Sequence, residues 1–173
     1  MNDIRQEEFT LGNHGICLTH FSDIDFTKET DEDFLNMFLK TKFFSYDCLP
    51  KVVKTNTDLT KNYLRPAFDE NKIFASDFKT FDKLNLVNFF YDFTNDKNMG
   101  EEFGNEIRQL WKSLSSILVA ENSDKYFLLD KEWFDKGDIK LNDPEGWVYT
   151  YYLLLIWFDT ENNKLTVCTW WYD

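Results

Sequence analysis

Cys17 and His20 stand three residues apart, with Asp23 and Asp25 just beyond them. A thiol, an imidazole and carboxylates are the groups of nucleophilic catalysis or of a metal site. Ile16 to Phe21 reads as a strand, however, and residues three apart on a strand point to opposite faces. The spacing therefore predicts a structural cysteine beside a surface histidine, and His14 adds nothing specific. Glu101-Glu102 and Asp31-Glu32-Asp33 fall at expected helix N-termini, where the helix dipole stabilises carboxylates by about 0.3–1 kcal/mol each. Gly100-x-x-x-Gly104 lacks the Lys-Ser/Thr of a phosphate loop, and no G-x-G-x-x-G occurs. Asp135-Lys136-Gly137-Asp138 has neither the acid spacing nor the closing glutamate of an EF-hand. A glycosidase needs two carboxylates set apart across a cleft. With 31 acids in the chain, nothing singles out such a pair. The residues assign no catalytic group, no metal ligand and no cofactor.

The elements that would position any site are legible from periodicity. A short strand, Ile16 to Phe21, is introduced by Gly12 and Gly15. Thr30 places a capping hydroxyl three residues before Asp33, and Phe34, Leu35, Phe38 and Leu39 then recur at helical spacing, predicting a helix that ends near Phe43. Thr57-Asp58 could cap a short helix through Leu64. Leu86, Phe89, Phe90 and Phe93 mark a second amphipathic helix within 82–93. Phe103, Ile107, Leu110, Trp111, Leu114, Ile117 and Leu118 form the longest apolar stripe, with Lys112 off it. Strands are expected at Tyr126–Leu129, Trp147–Phe158 and Leu165–Tyr172. Asn162-Asn163 suits a tight turn, which pairs the last two strands as an antiparallel hairpin and sets Trp157 against Cys168 and Leu155 against Trp170. The fold class is α+β: N-terminal helices packed on a mainly antiparallel sheet that contains the C-terminal hairpin, all in one compact domain spanning 1–173.

Net charge is −12 and uneven. Acidic ends, residues 1–35 and 99–173, flank a near-neutral middle. A field of this sign repels phosphate backbones and anionic lipid, which disfavours nucleic acid and membrane as partners and favours basic proteins. Three widely spaced cysteines fit no disulfide framework or zinc ribbon. The first eight residues have neither the basic nor the apolar region of a secretory signal, and 147–158 is too short to span a bilayer as a helix. Cytoplasmic residence is the expectation.

Aromatic residues make up 18% of the chain and crowd its last strands. One face of the penultimate strand carries Trp147, Tyr149, Tyr151 and Trp157; Trp170-Trp171-Tyr172 supplies both faces of the last. One face must contact the helices; the other is either covered by N-terminal elements or left partly open, and in the open case Trp147 or Trp170 would anchor a partner inside a rim of Asp143, Glu145, Asp159 and Glu161. In its acidity, aromatic content and lack of catalytic motif, the chain resembles by type the immunity proteins of bacterial toxin–immunity systems, including contact-dependent inhibition. The resemblance implies a non-catalytic inhibitor that blocks a cognate toxin domain, often a basic nuclease. An acidic DNA mimic or phage inhibitor, a small carboxylate-dependent hydrolase and a structural adaptor are the alternatives.

Overall fold

Thr30 begins the first helix as its position before three acids requires. Its hydroxyl accepts the Asp33 backbone N–H at 3.2 Å and donates to the Asp33 carboxylate at 2.6 Å, and α1 runs Asp31–Leu39. The computed structural model describes residues 4–12, 14–26, 30–41, 43–44, 51–54, 63–66, 73–95, 101–132 and 151–172. In chain order these form β1 (Ile4–Leu11), β2 (His14–Phe21), α1, β3 (Lys51–Lys54), β4 (Tyr63–Pro66), β5 (Lys79–Phe81), α2 (Lys83–Thr94), α3 (Glu101–Ala120), β6 (Tyr126–Glu132), β7 (Tyr151–Asp159) and β8 (Lys164–Tyr172). A 3-10 turn, Ala75–Asp77, precedes β5.

Six strands make one antiparallel sheet in the order β1-β2-β8-β7-β6-β5, with β3 and β4 paired separately. The fold is α+β, and β7 and β8 form the expected hairpin at the centre of the sheet. The helices lie between strands in the chain rather than ahead of the sheet, because β2 pairs directly with β8 and ties the N-terminal part into the centre. β1 was not legible as a strand. Its register with β2 places Leu11 opposite His14, and Gly12, just past Leu11, takes φ +60, which glycine adopts without a Cβ clash. Residues 63–66 are extended, which excludes a helix continuing through Leu64; 57–62 lie outside the described residues.

The near-continuous apolar run of β7 is buried on both sides. Tyr152, Leu154, Ile156 and Phe158 face the layer of α1, where Leu35, Phe38 and Leu39 meet them. Leu153, Leu155 and Trp157 face α2 and α3, against Leu86, Phe90, Ile107, Leu110 and Leu114. Lys112 is exposed, as the stripe on α3 requires. Asp82 caps α2 by accepting the Asn85 backbone N–H at 2.7 Å.

The hairpin register departs from expectation by two residues. Trp157 pairs with Thr166, Leu155 with Cys168 and Leu153 with Trp170, and the loop holds four residues, 160–163. The Asp159 carboxylate accepts both the backbone N–H and the side-chain amide of Asn162, at 3.1 and 2.7 Å, while Asn163 alone takes positive φ, at +51. A loop closed by Asp159 in this way is longer than the two-residue turn. Because the shift is two, every side chain keeps its face.

Candidate functional site

Of the residues expected to form an aromatic anchor with an acidic rim, Asp143, Glu145 and Trp147 lie outside the described residues. Trp170 is 1% exposed and cannot serve as a surface anchor. It stacks on Phe90 at 5.6 Å, and Phe90 stacks in turn on Trp111 at 4.8 Å, so the indole is the sheet's seat for α2 and α3. Asp159, 4% exposed, is the staple of the hairpin loop rather than a rim charge. Glu161 is exposed, and its carboxylate accepts the Asn122 side-chain amide. The physical reason for the correction is that helices cover both faces of the strands from which the anchor was drawn.

Cys17 and His20 do point to opposite faces of β2. The thiol is pushed above its ordinary pKa, chiefly by burial, which is the reverse of an activated nucleophile. His20 places Nδ1 3.0 Å from the Thr166 hydroxyl and Nε2 4.0 Å from Glu7. Burial first, then the charge of Lys164, lowers its pKa. Thr166 is 1% exposed, so this constellation offers no accessible nucleophile. Among the described residues no cluster of three His, Cys, Asp or Glu could hold a metal ion.

What the fold assembles instead is an acidic end. Asp31 in the first turn of α1, Asp124 ahead of β6 and Glu161 in the β7–β8 loop line one pocket of about 240 Å³ with Asn122, Ser123, Lys125, Phe158 and Thr160. Lys125, the base in this lining, approaches Asp31 at 3.5 Å and lies 5.5 Å from the centre of the Phe127 ring. Ser123 is buried and donates to the Lys125 carbonyl at 3.0 Å, which shapes the entry to β6. Glu32 and Asp33, both exposed, continue the acidic surface along the first turn of α1. Asp31 was legible as a helix-terminal acid; Asp124 carried no local signal, because its partners come from distant parts of the chain.

A second depression flanks α1. Phe34, Met37, Phe38 and Thr41, at i, i+3, i+4 and i+7, form one wall, and Asp23, Ile24 and Asp25 form the other, around about 280 Å³. Met37 is 51% exposed there. The opposite wall is fixed: the Ile24 backbone N–H bonds to the Asn163 carbonyl at 3.1 Å, and Phe26 packs on Phe34 and Phe158 at 4.9 and 5.5 Å. Asp23 holds φ +57, which turns the chain out of β2. Among the described residues no helix is long and apolar enough to cross a membrane. Comparison with protein-family models, with curated proteins and with solved structures returns no match.

Proposed function

We propose that this chain is a non-catalytic acidic binding protein of the immunity type, which acts in the cytoplasm by occupying a cognate, basic toxin domain. The observation that carries the reading is the convergence of Asp31, Asp124 and Glu161, from three separate parts of the chain, on one pocket of a molecule of net charge −12. Carboxylates gathered in this way present an anionic surface to a partner whose own site is built for phosphate, and they accelerate its approach.

The experiment mixes the purified protein with the product of the neighbouring reading frame and follows association at several ionic strengths. A rate above about 10⁶ M⁻¹s⁻¹ at low salt, falling steeply as salt rises, is expected. Asp124→Lys with Glu161→Lys should slow association without lowering the unfolding temperature. An association indifferent to salt and to both reversals would remove the electrostatic reading. Equal affinity for unrelated DNA-binding proteins would make the chain a DNA mimic instead.

A further inference from the structure

We infer that the depression between α1 and residues 23–25 is the anchoring pocket of this surface, and that it seats one apolar side chain flanked by lysine or arginine in a basic protein partner. The inference rests on the proposed binding role and assigns it a place. Three observations carry it. At about 280 Å³ the depression has room for an inserted side chain. One wall holds Phe34, Met37 and Phe38, and Met37 is half exposed, an adaptable thioether available for contact. The facing wall holds Asp23 and Asp25, both exposed.

Charge decides the occupant. Among the described residues 22–26 and 30–41 there are five acids and one base, Lys40 at the C-cap of α1. This excess of carboxylates repels an acidic peptide and attracts one that carries a cation on either side of the inserted group. The pocket also adjoins the acidic end described above. Phe34 lines the pocket and packs on Phe158 at 5.3 Å, and Phe158 lines the acidic end. A partner steered by Asp31, Asp124 and Glu161 therefore arrives beside an apolar anchor point, with the charges at the periphery and the desolvated contact between them.

The chain has three methionines, so methyl-labelled methionine gives a spectrum in which Met37 can be followed directly. The probes are the capped peptides Lys-Lys-Leu-Lys-Lys, pentalysine and Glu-Glu-Leu-Glu-Glu. The leucine-containing basic peptide should shift the Met37 methyl saturably; the other two should not. Asp23→Asn with Asp25→Asn should weaken that binding about tenfold or more, which is one decade in Kd. Asparagine is chosen because it tolerates the positive φ of residue 23. A Met37 methyl unmoved up to millimolar peptide, equal responses to the leucine peptide and to pentalysine, or full affinity in the Asn variant would each overturn the assignment. In a cell-protection assay against the neighbouring gene product, Met37→Asp should abolish protection while unfolding at the same temperature as the parent. Protection by the parent and the variant alike would discard the pocket and leave the immunity reading standing. A parent that protects nothing, yet whose Met37 responds to the basic peptide, would discard the immunity reading and leave the pocket.

Discussion

His14 shows how burial decides the chemistry of a side chain. It lies under the β1–β2 turn, 1% exposed, with the Glu106 carboxylate 3.3 Å from Nε2, yet desolvation lowers its pKa from 6.5 to about 4. At neutral pH the ring is neutral, so it is a packing group and not an ionic one. Since the folded-state pKa is depressed, the unfolded chain binds the extra proton first as pH falls. The stability contributed by neutral His14 is therefore complete above about pH 6.5 and is lost progressively down to about pH 4. Denaturant unfolding at pH 7 and at about pH 4.5 should show the gap between the parent and His14→Gln closing by roughly 2–3 kcal/mol. A gap that widened on acidification would mean that Glu106 holds the imidazolium in the fold. For Trp170, by contrast, the sequence leaves core and partner anchor both open, and the fold makes it core. Which face of a strand is covered depends on helices elsewhere in the chain.

At the scale of elements, Gly15 illustrates a constraint that no local pattern revealed. It sits inside β2 opposite Trp171 of β8, and a Cβ there would overlap the Trp171 indole. The glycine is needed by the ring that covers it, which is a different reason from the turn at Gly12. Gly15→Ala should destabilise by about 1–3 kcal/mol through overpacking. Combined with Trp171→Ala, the loss should be less than the sum, with a coupling of roughly 0.5–3 kcal/mol in urea unfolding. Strict additivity would show that the indole can leave the glycine at no cost. The helices were easier to read. Thr30 caps α1 as its spacing to Asp33 predicts, and the α3 stripe buries Ile107, Leu110 and Leu114, because capping and a 3.6-residue period depend on neighbours in the chain.

For the whole molecule, 31 acids against 19 bases leave a self-repelling surface. Ion pairs such as Lys164–Glu121 at 2.6 Å and Lys125–Asp31 at 3.5 Å work against that repulsion locally. Partly exposed pairs of this kind contribute at most about 1 kcal/mol. Shortening the Debye length from about 30 Å at 0.01 M salt to about 8 Å at 0.15 M should therefore raise Tm, as screening relieves the excess of like charge more than it weakens the pairs. A Tm that fell with added sodium chloride would show that the pairs outweigh the repulsion. The same excess that weakens the isolated fold would, in the proposed complex, be neutralised by a basic partner.

The sequence by itself determined the α+β class, the helices α1, α2 and α3 with the Thr30 cap of the first, the central hairpin and the alternation that assigns each residue of β7 and β8 to a face. All of these follow from short-range rules: a helical turn, a pleat of period two, a hydroxyl three residues before an amide. Only the tertiary structure decided the hairpin register, because the hold of Asp159 on Asn162 selected a four-residue loop over a two-residue turn. It also decided that both faces of the aromatic strands are covered, since α1 lies on one side of the sheet and α2 and α3 on the other. For the same reason the candidate surface moved from the strands to the flank of α1. There Asp23 and Asp25 meet Phe34 and Met37, and Phe158 from far along the chain joins that flank to Asp124 and Glu161, a proximity that residue spacing does not encode.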